Sequence, residues 1–283
     1  MNICSSVRCK IGEAPIWNEE ENLLYFTNGY GGNEICKLNI NDNTVIKQKV
    51  LIGVSAFAFN KQNKLIVSRQ DGVFYLNRNN NVKPIYDTGK FCLKYCNDMK
   101  VGPDGKIYVG TQSSKRKGVS DKIDGKLYSI DKNGEVKILL DGLLLSNGLD
   151  WSMDEKRFFH TDSDTGLIKE YYFDKSSGEI EWTGRSVEVP GVDGFTIDQN
   201  DNLLVACWGR SHIAVVDTKT FSISSYIKTP FSIPTSCGFC GKDMSKLAIT
   251  SATLGADLNT DVNAGFTAVF DNIGKGRKPY LYE

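Results

Sequence analysis

A repeat of about 45 residues constrains the fold of this chain more than any other feature of its sequence. A polar turn followed by a β-rich tetrapeptide recurs six times in 283 residues. The first residues of successive tetrapeptides are 41, 42, 51, 45 and 44 positions apart. The six tetrapeptides begin at Leu24, Leu65, Ile107, Phe158, Leu203 and Leu247. Internal repeats of this length are typical of propellers, solenoids and similar arrays.

Each repeat contains enough turns and apolar runs for about four short strands. The residues before each tetrapeptide are rich in Asn, Asp or Gly, which hairpin turns favour. A loop and a second apolar run follow, at residues 35–38 in the first repeat and 127–130 in the third. We find no persuasive amphipathic stretch with the 3.6-residue period of a helix. The pattern predicts an all-β chain, a six-bladed β-propeller with four-stranded blades that forms a single domain over residues 1–283.

The ends of such a chain are expected to meet in one blade. A propeller must close, because open sheet edges invite pairing with other chains. We therefore predict that a strand near residues 6–10 pairs into the last blade. The Gly-His and Trp-Asp signatures of WD40 repeats are absent from the sequence, so we predict a propeller of another type.

Charge and hydropathy exclude several classes of function. Lys+Arg and Asp+Glu both number 34, whereas nucleic-acid-binding proteins usually carry a basic excess. No run of 18 or more apolar residues is present, and the N-terminus lacks the apolar core of a signal peptide. We therefore expect a cytoplasmic protein that acts on a small-molecule substrate and has no nucleic-acid or membrane partner. The oligomeric state is expected to be a monomer or a weak dimer.

The eight cysteines and two histidines suggest a zinc site, a redox site or histidine-dependent catalysis, but their positions in the sequence do not support these functions. Without a signal peptide, we expect reduced and mostly buried thiols. Cys237 and Cys240 are three residues apart on a predicted strand, so their side chains should face opposite sides of the sheet, which opposes a zinc site. His160 lies in a predicted strand and is expected to be a hydrogen-bonded core residue.

The repeat also places a set of polar residues at equivalent positions. Ten or eleven residues before the tetrapeptides lie Glu13, Ser55, Asn97, Asn147, Asp193 and Ser236. In a propeller the innermost strand of each blade begins near the channel, so these positions should converge. One reading is that they cap inner strands and bond to neighbouring blades. Together, however, the two carboxylates and two carboxamides favour one divalent cation, Ca²⁺, Zn²⁺, Mg²⁺ or Mn²⁺, because like charges placed together repel unless neutralised.

Five short motifs run in order along nearly the whole chain. They are Gly-Glu-Ala-Pro-Ile-Trp from residue 12, Asn-Asp-Met-Lys-Val from 97, Ser-Asn-Gly-Leu-Asp-Trp from 146, Val-Asp-Gly from 192 and Pro-Thr-Ser-Cys from 234. Together they resemble the gluconolactonase/regucalcin (senescence marker protein) family, to which insect luciferin-regenerating enzymes belong. The resemblance implies a six-bladed propeller with one catalytic divalent metal ion. It also implies hydrolysis of sugar lactones, while relatives with similar propellers hydrolyse organophosphates.

The resemblance assigns roles to the residues at the repeat positions. Glu13, Asn147 and Asp193 match the family's metal ligands, and Asn97 matches an Asn that helps to hold substrate or water. A cation so bound would polarise the lactone carbonyl and lower the pKa of water. Asp193 would then promote the attack of water on the carbonyl carbon.

The chain departs from the family pattern near the substrate. Tyr95 stands where sugar-lactone hydrolases usually have an Arg, and Tyr offers one hydroxyl and a ring instead of five donors. This favours a more apolar lactone, an ester or another small electrophile. Asp121, in the loop 111–124 at the position of the family's lid, matches a substrate-contacting Glu. Trp208 follows the fifth tetrapeptide, where an aromatic residue often lines the pocket, and Tyr30 is a weaker candidate of the same kind.

The leading hypothesis is therefore a metal-dependent hydrolase of carboxylic ester bonds in lactones. The alternatives are a non-catalytic Ca²⁺-binding regulatory protein, an interaction scaffold, and a hydrolase of organophosphates or other small esters. The basic run at residues 115–117 is interpreted as a solvated turn.

Overall fold

The computed structural model of the protein describes residues 1–29 and 31–283, so the candidate Tyr30 lies outside the described residues. These residues contain 24 β-strands and a short 3-10 helix, Ser163–Thr165. The strands form six four-stranded antiparallel sheets, which confirms the predicted all-β six-bladed propeller. No helix in this part of the chain is long and apolar enough to cross a membrane.

The described residues form two compact units. The first comprises Met1–Gly53 and Val187–Pro279, and the second comprises Val54–Ser186 and Tyr280–Glu283. Each unit contains three blades, and the single-domain expectation stays a prediction.

The first unit holds blades one, five and six. Blade one consists of β2 (Ile11–Asn18), β3 (Leu23–Gly29), β4 (Glu34–Leu38) and β5 (Val45–Lys49). Blade five consists of β18 (Val192–Ile197), β19 (Asn202–Cys207), β20 (His212–Asp217) and β21 (Ser222–Lys228). Blade six consists of β22 (Pro234–Cys240), β23 (Lys246–Ser251), β24 (Thr267–Asp271) and β1 (Asn2–Cys4).

The second unit holds blades two, three and four. Blade two consists of β6 (Val54–Phe59), β7 (Leu65–Arg69), β8 (Gly72–Leu76) and β9 (Val82–Pro84). Blade three consists of β10 (Cys96–Val101), β11 (Ile107–Thr111), β12 (Gly125–Ile130) and β13 (Val136–Leu143). Blade four consists of β14 (Ser146–Trp151), β15 (Arg157–Asp162), β16 (Leu167–Asp174) and β17 (Glu179–Glu188).

The repeated tetrapeptides form the second strand of each blade, and the second apolar runs form the third strand. The polar residues singled out by the repeat lie on the first strand. Burial falls from the first strand to the fourth, as β14 is buried along its whole length whereas β17 alternates between exposed and half-buried residues. The local pattern of turns and apolar runs therefore identifies the strands correctly.

The closing strand lies nearer the N-terminus than predicted. Asn2, Ile3 and Cys4 pair with β24, whereas residues 6–10 form no strand. The segment 6–10 instead contacts the loop after β23, because the Cys9 amide donates to the Gly265 carbonyl at 2.7 Å. The pairing into the last blade is confirmed, and its position is corrected by about four residues.

Aromatic packing joins blades three and four in the second unit. Trp151 and Tyr108 are fully buried, with ring centroids 4.8 Å apart in an edge-to-face arrangement. Phe158 and Phe173 pack against the same rings. Edge-to-face pairs add to the hydrophobic gain from burial, so this cluster stabilises the contact between blades three and four.

Candidate functional site

The register between the first two strands shifts in all six blades, and each polar repeat position lies within a shift or, as for Glu13 and Ser236, directly beside one. The shifts lie between Glu13 and Ile16, Val54 and Ala56, Cys96 and Met99, Ser146 and Leu149, Val192 and Phe195, and Pro234 and Ser236. A β-bulge leaves a residue unpaired and re-aims its side chain, and such bulges are frequent beside active sites. The sequence locates these residues, but gives no sign of the bulges.

In the first unit, β22 lies between the strands that carry Glu13 and Asp193. The Thr235 hydroxyl donates to the Gly12 carbonyl at 2.5 Å, which places β22 beside Glu13. On the other side, a Cβ on Gly194 would overlap the Ser236 hydroxyl, so Gly194 allows β18 to approach β22 closely. Asp193 is buried and Glu13 half-buried. The three repeat positions of this unit thus lie on adjacent inner strands.

The second unit repeats this arrangement with neutral side chains. The Ser55 hydroxyl donates to the Cys96 carbonyl at 3.2 Å, and the Asn97 side chain donates to the Ser146 carbonyl at 3.1 Å. Asn147, the next residue, is buried. The inner strands of blades two, three and four are therefore neighbours, and Asn97 and Asn147 lie on adjacent strands.

Gln112 connects the two predicted substrate residues of blade three. Its side chain donates to Asn97 Oδ1 at 3.2 Å, and its backbone amide donates to the Tyr95 carbonyl at 2.9 Å. Tyr95 has a φ of 58°, in the left-handed region that a bulky residue rarely adopts. Such strain persists only where surrounding contacts enforce it, and it is frequent at ligand sites. Gln112 is a candidate site residue that the repeat positions do not reveal.

The loop 111–124 contacts Tyr95 through Lys117. The Lys117 ammonium lies 5.8 Å from the centroid of the Tyr95 ring, and both side chains are half-buried. Lys115 and Asp121 are exposed. Residues 115–117 lie in a turn, as interpreted, and Lys115 and Arg116 are exposed, whereas Lys117 is half-buried against a residue about 20 positions earlier.

Trp208 lies close to the strand that carries Glu13. It is half-buried and packs against the apolar cluster of Ile11, Ile233 and Ala252. Its backbone amide donates to the Gly191 carbonyl at 2.7 Å, two residues before Asp193. Within the first unit, Trp208 therefore contacts Ile11 and Gly191, each of which lies two residues before a predicted acidic ligand.

A buried ion pair joins the inner strands of blades three and four. The Lys100 ammonium lies 2.8 Å from the Asp150 carboxylate, whose side chain is 7% exposed. Burial raises the pKa of Asp98, and the Lys100 charge partly opposes this effect. The strands β10 and β14, which carry Asn97 and Asn147, therefore also carry the two charged partners Lys100 and Asp150.

His160 has the structural role that the sequence predicts. Its Nε2 lies 2.7 Å from the Ser146 hydroxyl, and the ring is buried. Burial lowers the pKa of His160 to about 3, so the imidazole is neutral at physiological pH. Through this hydrogen bond the neutral His160 holds Ser146, the residue that precedes Asn147, in place.

The cysteines do not form a metal or redox site in the described part of the chain. All eight are free, and all but Cys92 are buried. Burial raises the pKa of the Cys240 thiol to about 12, so the thiol stays protonated. These free and mostly buried thiols agree with the expectation from the sequence.

The donor chemistry at the repeat positions fits a hard divalent cation. Among residues 1–29 and 31–283, no group of three or more His, Cys, Asp or Glu side chains could hold a metal ion. A site built on Glu13 and Asp193 therefore also needs amide oxygens and water, the ligands that Ca²⁺ and Mg²⁺ accept.

Comparisons with known proteins agree with this architecture. A family model described as the SMP-30/Gluconolactonase/LRE-like region matches residues 11–253. The chain is 31% identical to regucalcin of Gallus gallus over 290 residues, covering 98% of this chain and 96% of that protein. It is also 31% identical over 261 residues to "Putative sugar lactone lactonase YvrE" of Bacillus subtilis (strain 168), covering 88% and 86%. A crystal structure of regucalcin, a calcium-binding protein from Agrobacterium tumefaciens, has a similar fold, with a TM-score of 0.87, 21% identity and coverage of 99% and 96%.

Proposed function

Because the chain belongs to the SMP-30/gluconolactonase/LRE-like family, we propose that it is a divalent-metal-dependent hydrolase of lactones or related small esters. The observation that carries this proposal is the placement of Asn97, Asn147 and Asp193 in the bulges of the first strands, and of Glu13 directly beside one. Bulges there aim oxygen donors away from the sheet ladder, where a ligand can reach them. The similarity to the Bacillus subtilis protein favours a lactone as the substrate class.

In this proposal Glu13, Asn147 and Asp193 hold the cation. Glu13 and Asp193 supply negative charge on strands that flank β22, and the assignment of Asn147 to the same cation comes from the family pattern. When bound, a divalent cation supplies Lewis-acid polarisation of the carbonyl and a lowered pKa for water. The ion is Ca²⁺, Mg²⁺, Mn²⁺ or Zn²⁺, since an all-oxygen set accepts each of them.

The remaining steps belong to side chains of the chain itself. Asp193 accepts a proton from the water that attacks the carbonyl carbon, and returns it to the alkoxide oxygen released when the ring C–O bond breaks, because a carboxylate at the bulge can act as a general base and then as an acid. Asn97, held by Gln112 and by the Ser146 carbonyl, orients the substrate or the water with its amide. The substrate is a small molecule, and its remaining groups contact Tyr95, Asp121 and Trp208. We propose that the protein binds it as a monomer or a weak dimer.

An activity panel tests the proposal directly. Purified protein loaded in turn with Ca²⁺, Mg²⁺, Mn²⁺ and Zn²⁺ is expected to hydrolyse at least one lactone, measured by proton release at constant pH. Chelation with EDTA should abolish the activity, and the matching ion should restore it. Absence of turnover on lactones, esters and organophosphates with every ion would contradict the proposal.

Loss of one anionic ligand should weaken metal binding. Glu13→Gln keeps the shape of the side chain but removes its charge, so we expect the dissociation constant of the cation to rise by about tenfold or more. Isothermal titration of the metal-free protein measures this constant. Glu20→Gln, at an exposed position in the turn after β2, is the matched control and should bind as the wild type does.

A second candidate function is Ca²⁺ binding without catalysis. It is favoured by the name of the Agrobacterium tumefaciens protein, a calcium-binding protein, and by the similarity to regucalcin of Gallus gallus. Tight Ca²⁺ binding in the titration together with no turnover in the panel would select this alternative.

A further inference from the structure

We propose that His160 is a positioning residue, which holds Ser146 so that the Ser146 carbonyl sets the orientation of the Asn97 amide. In this role His160 does not contact the substrate but acts through two hydrogen bonds in series. The inference rests on the proposed function, because it concerns how the candidate substrate residue Asn97 is kept in place for a ligand. It gives a core histidine a part in the reaction.

The first link is the bond between His160 and Ser146. The His160 Nε2 atom lies 2.7 Å from the Ser146 hydroxyl, and both residues are buried. Burial lowers the pKa of His160 to about 3, so the ring serves as a neutral hydrogen-bonding group. The ring stacks on Phe158, with centroids 6.2 Å apart. His160 therefore presents Nε2 to Ser146 from a well-packed part of the core.

Blade three keeps the Ser146 hydroxyl directed at His160. A Cβ on Gly110, in β11, would overlap the Ser146 Oγ atom, so the glycine leaves room for this hydroxyl. A buried hydroxyl that lost its partner would cost free energy. Both the space and the energetics therefore favour the bond between Ser146 and His160.

The second link is the bond between the Ser146 carbonyl and Asn97. Asn97 Nδ2 donates to this carbonyl at 3.1 Å. Because a backbone carbonyl only accepts hydrogen bonds, the contact requires the Asn97 nitrogen, and not its oxygen, to face β14. The Asn97 oxygen then faces Gln112, whose Nε2 lies 3.2 Å away. If the carbonyl turned away, the amide could flip and present the opposite hydrogen-bonding group to a ligand.

The bulge in β14 makes this carbonyl dependent on a side-chain anchor. Ser146 pairs with Asp162, but the register shifts between Ser146 and Leu149, the residue that pairs with His160. The ladder is disrupted within a bulge, so strand pairing restrains the peptide between Ser146 and Asn147 less than it restrains a regular strand. The bond from His160 supplies a restraint at this point.

Exchange of the Asn97 side-chain amide with water tests the orientation without turnover. In full-length protein whose asparagines carry nitrogen-15, the Asn97 signals are identified by their loss in Asn97→Ala. His160→Phe keeps a ring but removes the bond to Ser146. We expect the Asn97 Nδ2 hydrogens to exchange about three- to tenfold faster, the effect of one neutral hydrogen bond. Ser146→Ala removes the same bond from its other partner and should give the same increase.

Two further variants of β15 serve as controls. Thr161→Val removes the bond from the buried Thr161 hydroxyl to the Leu167 carbonyl at 2.8 Å, on the other face of the strand, and should leave Asn97 exchange unchanged. His160→Gln keeps a side-chain amide that can bond to the Ser146 hydroxyl, so it should retain a rate close to that of the wild type. Thermal midpoints confirm that each variant is folded.

A double-mutant cycle connects the orientation to the reaction. With the lactone that the activity panel identifies, His160→Phe should lower kcat/KM by about three- to tenfold, but by less than about twofold when Asn97 is already Ala. A purely structural role would lower kcat/KM equally in both backgrounds and would overturn the inference, as would unchanged Asn97 exchange in both His160→Phe and Ser146→Ala. Faster Asn97 exchange without turnover on any substrate would support the positioning and contradict the proposed hydrolase function instead.

Discussion

Replacement of Asp193 with Asn is expected to lower kcat for lactone hydrolysis by about 10²–10⁴-fold, the contribution of a positioned general base. Asn has the same shape and keeps one side-chain oxygen, so the blade should fold unchanged. It cannot accept the proton of an attacking water, because its amide is not basic. Asp193 is buried at the bulge of β18. The assay is kcat at a saturating concentration of the activating ion.

The control uses the equivalent position of the adjacent blade. Ser236 lies directly beside the bulge of β22 and has no assigned part in the reaction. Ser236→Ala is expected to retain kcat within about threefold. If Asp193→Asn were as active as the wild type at saturating metal, the role of Asp193 as a base would be wrong, whatever its effect on metal affinity.

Replacement of Tyr282 with Ala is expected to reduce the free energy of unfolding by about 3–5 kcal/mol, as for other large buried aromatic residues. Tyr282 is 2% exposed. Its backbone amide donates to the Phe59 carbonyl at 2.9 Å, and its carbonyl accepts from the Lys61 amide at 3.1 Å. Its hydroxyl donates to the Asp131 carbonyl. The residue therefore links the strand ends of blades two and three in the second unit.

Two further variants separate the parts of this effect. Tyr282→Phe removes only the hydroxyl bond to Asp131 and should cost about 1 kcal/mol. Lys61→Met removes an ion pair with Glu283 in which both side chains are largely exposed, and should cost less than about 1 kcal/mol. Urea unfolding followed by circular dichroism measures all three. A Tyr282→Ala variant as stable as Lys61→Met would contradict the proposed link between the blades.

The strand assignments could be made from the sequence because their signals are local. Each hairpin is contiguous in the chain, so the alternation of turn residues and short apolar runs identifies it without knowledge of distant contacts. The repeat then places Glu13, Asn97, Asn147 and Asp193 at equivalent positions. The closing strand was misplaced by about four residues because its partner, β24, lies more than 260 positions away and offers no local signal.

The surroundings of Tyr95 could not be predicted in the same way. Its contact with Lys117 depends on the path of a loop, and its left-handed φ depends on bonds to Gln70 and Gln112. The sequence suggests a solvated basic turn, because charged runs in loops usually face water. Only the packing of the loop decides that one of its four basic side chains lies over an aromatic ring.

The sequence by itself determined the number of blades, the strands within them and the six equivalent polar positions, because period and turn chemistry act over a few residues. The tertiary structure decided where these positions lie in the bulges, which inner strands are neighbours, and which side chains surround Tyr95. Those features depend on contacts between repeats that are about 40 to 50 residues apart, and such contacts are set by packing and hydrogen bonding across blades.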